Sequence, residues 1–296
     1  MSARRFLVIW NPGAGSKAGI PTNGTTEPDL RDLMARHGLG SELFESPSET
    51  AALERVDAAV AAGYDAVVGA GGDGTVRSIA FRLLDRPTAL GILPLGSAMN
   101  IGRALGIPRD LDEAAAIIAT AAPRPIDVAT ARDRPFLEVA SIGATAEVLE
   151  QAQHVDKGHF HAILTMVWNG LRQRPVRVEL TVDGERFRAR PLALAVANGP
   201  YSGLGLTLAP DARIDDGLLT VVLYSGMTPL GLARHLISVI GGRQPKSRLR
   251  SYSGREVSVS SASPLSIRVD SEDGGATPIT FGIRQGALKV LAPPTT

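Results

Sequence analysis

One short stretch constrains this chain more than any other. The apolar run Ala66-Val67-Val68-Gly69-Ala70 leads straight into Gly71-Gly72-Asp73-Gly74-Thr75. Such a continuous apolar run before a glycine turn reads as a strand buried on both faces, the kind found in parallel sheets covered by helices. The three glycines then let the backbone approach a bulky group and turn its N–H groups toward it. Phosphate suits that geometry, and an acid beside a polyphosphate points to a metal ion between them. A tight strand-to-helix turn would use the same glycines, so the motif has to be weighed with its surroundings.

Those surroundings alternate strand and helix patterns over residues 1–126. Strands are expected at 6–10, 66–70 and 89–93, and helices at 28–37, 50–62, 76–84 and 110–121. This βα alternation predicts a parallel sheet with helices on both faces. After about Pro125 the texture changes. Val176-Arg177-Val178-Glu179-Leu180-Thr181-Val182 alternates with period two, Asp183-Gly184 supplies a hairpin turn, and Arg186-Phe187-Arg188-Ala189-Arg190 follows. Further strands are expected at 192–198, 218–224, 256–260, 265–269 and 287–292, interrupted by helical patterns near 158–172 and 228–240. The fold class is therefore α/β + β: an N-terminal parallel-sheet nucleotide-binding domain, then a C-terminal antiparallel β-sandwich, with the boundary near residue 126.

Two more loops follow strands of the first domain. Asn11-Pro12-Gly13-Ala14-Gly15-Ser16 comes after the first strand, and Pro94-Leu95-Gly96-Ser97-Ala98-Met99-Asn100-Ile101-Gly102-Arg103 after the strand at 89–93. Open α/β sheets bind ligands at the carboxyl edge of their strands, where all three loops would meet. Ser97 also has the chemistry of a helix cap, whereas Arg103 suits phosphate. No Walker A sequence, dinucleotide fingerprint, H-E-x-x-H or G-x-S-x-G is present.

Composition narrows the function classes. With 44% hydrophobic residues and mean hydropathy +0.07, the chain can build a sizeable core. A formal net charge of +1 offers no global field for nucleic acid, which is not expected as a partner. Cysteine is absent, which excludes disulfides and fits a cytoplasmic setting. No apolar run approaches the roughly 18 residues of a membrane span, so contact with lipid is expected to be peripheral.

The second half carries two acidic clusters. Arg213-Ile214-Asp215-Asp216-Gly217-Leu218-Leu219 opens a strand, as an Asx-type turn or as a cation site built on Asp216 and nearby carbonyls. Val269-Asp270-Ser271-Glu272-Asp273-Gly274 ends another strand. Asp273-Gly274 reads as a hairpin turn, while Asp270 and Glu272, two apart in an extended chain, would share a side and suit a general base and a metal-organising acid.

Taken together, these motifs resemble the diacylglycerol kinase catalytic-domain family, in particular the soluble bacterial lipid kinases. The resemblance covers Asn11 to Gly15, Gly71 to Thr75, Pro94 to Pro108, Ile126-Asp127-Val128, Asn198-Gly199, Asp215 to Leu219 and Gly286 to Pro293. It implies an ATP-binding first domain, rejoined by the tail at about 284–296, and a lipid-substrate domain over 127–283 with a cleft between them. Carried over by position, Gly71, Gly72, Gly74 and Thr75 would hold the phosphates of ATP, helped by Asn11, Gly15 and Ser97. Asp73 would organise Mg2+ through water, and Asp270 would take the proton from the lipid hydroxyl with Glu272 beside it. Asp216 with the carbonyls of Arg213 and Leu218 would form a structural Mg2+ site. The chain departs from the family pattern at Arg77 and Ser78, at Met99 and Asn100, and at Ser271 within the usual D-G-E. The implied activity is an ATP- and Mg2+-dependent lipid kinase acting on a hydroxyl of diacylglycerol or a related lipid. A low-turnover nucleotide- or lipid-binding protein and an NAD kinase-like enzyme are the alternatives.

A lipid acceptor requires access to a bilayer. Phe160, Ile163, Leu164, Val167, Trp168 and Leu171 follow helical spacing, with Arg172, Arg174 and Arg177 behind them. Leu230, Leu232, Leu236, Ile237 and Ile240 precede Arg243, Lys246, Arg248, Arg250 and Arg255. Either segment could meet a membrane surface or pack on the sandwich. The partner expected is thus a lipid substrate at the membrane surface, and the assembly states open to the chain include a homodimer.

Overall fold

The computed structural model describes residues 4–14, 16–17, 20–21, 24–143, 175–203, 205–226, 228, 230–231 and 249–294. Gly15, the segment 158–172, nearly all of 228–240, and Arg172, Arg174, Arg243, Lys246 and Arg248 lie outside the described residues. The chain divides into two compact units, Met1–Ile126 with Gly286–Thr296, and Asp127–Gln285.

The first unit begins with β1 (Phe6–Trp10), the short hairpin β2 (Ser16–Lys17) and β3 (Ile20–Pro21), α1 (Glu27–His37) and β4 (Leu43–Glu45). It continues through α2 (Glu49–Ala61), β5 (Ala66–Gly71), α3 (Asp73–Arg82), β6 (Ala89–Pro94), α4 (Asn100–Ala104) and α5 (Leu111–Thr120). Strands β6, β5, β1 and β4 lie side by side and parallel, in register Phe6↔Ala66, Ala66↔Ala89 and Val8↔Leu43. Every residue of β1 and β5 is buried, so both sheet faces are covered. Helix α3 packs on β5 and α5 on β6, with α2 against α3 and α1 against α5. Burying side chains such as Leu7, Ile9 and Leu90 stabilises the unit by about 1.5–3 kcal/mol each.

Local chemistry sets the helix ends. Thr26 accepts from the Asp29 amide while Asp29 reaches back to Thr26, a capping box, and Gly38 closes α1 at φ 67°. Ser48 caps α2 and Asp110 caps α5. Helix α3 starts three residues earlier than the pattern predicts. Asp73, Gly74 and Thr75 form its first turn, and Gly72 precedes it with no side-chain cap.

β7 (Pro123–Ala131) leads into the second unit, followed by β8 (Arg134–Phe136), β9 (Val139–Gly143), β10 (Val178–Val182), β11 (Glu185–Ala189) and β12 (Ala193–Ala197). After the small hairpin β13 (Tyr201–Ser202) and β14 (Leu206–Thr207) come β15 (Leu219–Tyr224), β16 (Arg250–Gly254), β17 (Glu256–Ser261), β18 (Ser266–Val269), β19 (Glu272–Ala276) and β20 (Ile279–Leu291). One sheet of this unit runs β11-β10-β17-β20, the other β16-β15-β12-β9-β18-β19. Their inner faces share one core, with Leu180, Val259 and Phe281 from the first sheet and Ile142, Val196, Val221 and Ile267 from the second. Phe136 and Phe281 meet edge to face at 6.1 Å. The fold is the expected α/β unit followed by an antiparallel β unit.

Two local expectations fail. Strand β20 is 13 residues long rather than a short strand at 287–292, and its far end pairs parallel with β6 at Val290↔Leu90. The hairpin turn expected at Asp273-Gly274 is instead at Asp270-Ser271, both left-handed, at φ 47° and 67°. Two residues with positive φ are what a two-residue hairpin requires. Gly274 lies inside β19 at a register shift, where a Cβ would come within 2.8 Å of Val269.

Candidate active site

The chain passes from β1 to β4 on one side of β1, then to β5 on the other. The strand order therefore reverses between β1 and β5, and the loops at their carboxyl ends flank a natural ligand crevice. The Asn11 amide joins these loops. Its Nδ2 donates to Thr75 Oγ1 at 3.0 Å, and its Oδ1 accepts from the Gly13 N–H at 3.0 Å. With Thr75 Oγ1 already accepting, the hydroxyl proton is left to donate elsewhere.

Glycine is required here by contact. A Cβ on Gly71 would sit 2.7 Å from Thr75 Cβ, and one on Gly96 would sit 2.5 Å from Gly72 Cα. The turn after β5 and the turn after β6 are thus pressed backbone to backbone, and the Leu95 N–H donates to Gly71 O at 3.1 Å. A Cβ on Gly74 would meet nothing within 4 Å. Gly74 is exposed at the start of a helix without a side-chain cap, where the first N–H groups of a helix can meet an anion.

Asp73 stands at the first position of α3, and its Oδ1 accepts the Ile101 N–H at 3.1 Å. The acid thereby caps α4. Burial pushes the carboxyl above its ordinary range, opposed by the amides of Ile101, Asn100 and Met99 and by the charge of Arg77. Ser97 does not cap the next helix. That helix starts after Met99, at φ 53°, and Ser97 is exposed, its carbonyl accepting from Arg109 at 2.9 Å. Of the departures from the family pattern, Met99 and Asn100 are buried and Ser78 bonds Glu49 of α2.

In the second unit Asp270 is buried and clamped. Its Oδ2 accepts the Leu137 N–H at 2.9 Å and its Oδ1 the Glu138 N–H at 2.8 Å. Two such bonds fix its orientation. The extended geometry expected for Asp270 and Glu272 is wrong, because Asp270 occupies the left-handed turn. Glu272 begins β19 and pairs with Arg134.

Asn198, fully buried, donates its Nδ2 to Asp127 O at 3.1 Å and to Leu137 O at 3.2 Å. It thus braces the segment that holds Asp270. The Asp127 carboxylate accepts the Gly217 N–H at 2.6 Å, beside the Asp215-Asp216 turn. Asp216 Oδ1 accepts the Leu218 N–H at 2.9 Å, and the Arg213 guanidinium lies 3.7 Å from Asp215. Burial first, then the charges of Asp127 and Asp215, push the Asp216 carboxyl up. A hard cation suits a carboxylate so crowded by acids. Among the described residues no three acidic or histidine side chains converge as a metal cage, so such a cation would rely on Asp216 with backbone carbonyls and water. The part played by Asp127 and by the Leu137 and Glu138 amides had no sequence signal beyond the Ile126-Asp127-Val128 motif, since backbone groups carry no residue identity.

Known proteins resemble the chain over nearly its whole length. Residues 5–131 match the family model described as the diacylglycerol kinase catalytic domain, and residues 138–292 match the YegS C-terminal NAD kinase beta sandwich-like domain. A Pseudomonas syringae pv. tomato protein named "Probable lipid kinase YegS-like" is 34% identical over 275 residues, covering 90% of this chain and 89% of its own. A Staphylococcus saprophyticus protein named "Diacylglycerol kinase" is 25% identical, covering 98% and 96%. A crystal structure described as a diacylglycerol kinase from Bacillus anthracis superposes with a TM-score of 0.72 at 21% identity, covering 99% of this chain and 98% of that one.

Proposed function

Because this chain belongs to the family of YegS-like lipid kinases with a diacylglycerol kinase catalytic domain, we propose that it uses ATP and Mg2+ to phosphorylate a hydroxyl of diacylglycerol or a related lipid. The observation that carries this reading is the uncapped start of α3 with open space over Gly74. In this reading the backbone at Gly71, Gly72 and Gly74 and the hydroxyl of Thr75 hold the ATP phosphates. Asn11 orients Thr75, and Gly15 and Ser97 complete the phosphate loops. Bound Mg2+ neutralises phosphate charge, which is most of what phosphoryl transfer asks of a protein. Asp73 is the acid assigned to hold it through water, and Asp216 with the carbonyls of Arg213 and Leu218 is assigned a structural cation.

Asp270 is assigned as the base that accepts the proton of the lipid hydroxyl. Its two amide bonds keep it aimed, and general-base help contributes about 10²–10⁴-fold. Glu272 is assigned as the acid beside it. A second reading, a low-turnover binding protein of the same fold, is favoured by the use of Asp73 as a cap for α4. The two readings separate in one assay: transfer of labelled γ-phosphate from ATP, with Mg2+, to micelles of diacylglycerol, monoacylglycerol, sphingosine or ceramide, with NAD as a control acceptor. A labelled lipid that disappears with Asp73→Ala supports the kinase. Saturable ATP binding without product supports the binding protein, and labelled NAD overturns both.

A further inference from the structure

Strand β11 is the edge of its sheet, and it pairs antiparallel with β10 in register Glu179↔Arg188 and Thr181↔Arg186. Residues directly opposite share a face. Val178, Leu180 and Val182 point into the core, with Phe187 and Ala189 packed against it. The outer face therefore carries Arg186 and Arg188 on β11. Arg190 and Arg177 stand one residue beyond the pairing Val178↔Ala189, on the same side. All four arginines are exposed. Arg177, Arg188 and Arg190 line a groove of about 630 Å³ with Ser260 and Ser261.

The charge on this face is one-sided. Among the described residues the single ion pair of the four arginines is Arg188 with Glu179, at 3.4 Å and with Arg188 87% exposed. Four cations thus face two acids, Glu179 and the exposed Glu256 on the neighbouring strand β17, in a chain whose 31 basic and 30 acidic residues otherwise nearly cancel. Keeping an edge strand from pairing with another chain needs charge, but not four charges of one sign on one face. The neighbouring outward residues on β17 are Glu256, Ser258 and Ser260, and the aromatic Phe187 points inward against Tyr252 at 4.4 Å. A cationic, hydroxyl-rich face without aromatic platforms suits lipid phosphates and lacks what single-stranded nucleic acid stacks on.

We propose that the outer face of β10 and β11 docks on a bilayer of anionic phospholipid through Arg177, Arg186, Arg188 and Arg190. The proposal rests on the lipid-kinase reading for why the protein must reach a bilayer. None of the four arginines is among the residues assigned above to nucleotide, base or cation.

The test is sedimentation of the intact protein with phosphatidylcholine vesicles, with and without 30 mol% phosphatidylglycerol, a composition chosen at about the anionic load that attracts polybasic segments. Binding is expected only with phosphatidylglycerol, and it should weaken as salt rises. Arg188→Gln with Arg190→Gln should bind about 30-fold more weakly. Glu179→Gln should bind about 5-fold more tightly, a gain counted over pelleting without vesicles. Unchanged binding in both variants, equal binding to neutral vesicles, or tighter binding to single-stranded RNA overturns the proposal. Lipid phosphorylation in detergent micelles separates the two readings. Turnover without vesicle binding overturns the docking face alone. Charge-dependent vesicle binding without turnover on any lipid supports the face and overturns the kinase.

Discussion

Asp73 and Asp270 sit in different units, one at the start of helix α3 and the other in the turn between β18 and β19, and each accepts backbone N–H groups from a distant segment. Asp73 holds the start of α4 from a relaxed helical position, and burial pushes its carboxyl up. Asp270 holds Leu137 and Glu138 from a left-handed position at φ 47°. The contrast is instructive because both were singled out for chemistry. In the first unit the acid is costly to keep charged and its clamp is one that an amide oxygen can replace. In the second, the two amide bonds of the clamp offset an unfavourable backbone conformation.

That contrast predicts different outcomes when each acid is removed. Asp270→Ala leaves two buried amides without an acceptor and should cost about 2–5 kcal/mol of stability, read as a lower urea midpoint. Asp270→Asn should lose less stability and still lower turnover by about 10²–10⁴-fold. Near-normal turnover in Asp270→Asn would remove Asp270 from the chemistry and leave only the clamp.

Asp73→Ala should cost about 1 kcal/mol, the loss of a helix cap. Asp73→Asn should be different, and its effect depends on pH. A carboxyl raised on folding favours the folded state most in acid, and that contribution is lost as pH rises through its raised value. The stability of Asp73→Asn relative to the parent should therefore increase from acid to neutral pH, with thermal midpoints across that range as the measure. An opposite trend would mean that the Arg77 charge and the α4 amides outweigh burial.

The glycines of the same turn should respond with opposite signs, and the smallest effect belongs to Gly74. Gly71→Ala forces a Cβ against Thr75 and should cost about 1–3 kcal/mol. Gly74→Ala meets open space and should stabilise the helix by about 0.5 kcal/mol. The same Gly74→Ala should weaken ATP binding, measured by titration calorimetry, if phosphate packs over that position. Unchanged affinity would move the phosphates away from α3.

Much of the scaffold was legible because its strands are uniformly apolar and its helices carry Thr26, Ser48 and Asp110 at their starts. The start of α3 was not, because three glycines read as a loop although their backbone is free to continue as a helix. The Asp270-Ser271 turn was missed for the converse reason: it contains no glycine, yet both residues adopt positive φ. The first half of β20 escaped notice because Pro278 and the glycine at 282 read as breakers. The partners of Asp73 and Asp270 are backbone amides, which no side-chain pattern reveals.

Strand β20 has a consequence for how the gene can be cut. The edge of the first unit's sheet is closed by residues encoded at the far end of the chain: Val290 pairs with Leu90, Ala287 O accepts the Asp85 N–H at 2.8 Å, and Pro293 O accepts from Arg124 at 3.0 Å. A chain stopped after residue 126 omits that strand, so a self-sufficient first unit has to be joined from two separate stretches of sequence, with the closing strand fused behind α5 by a short linker.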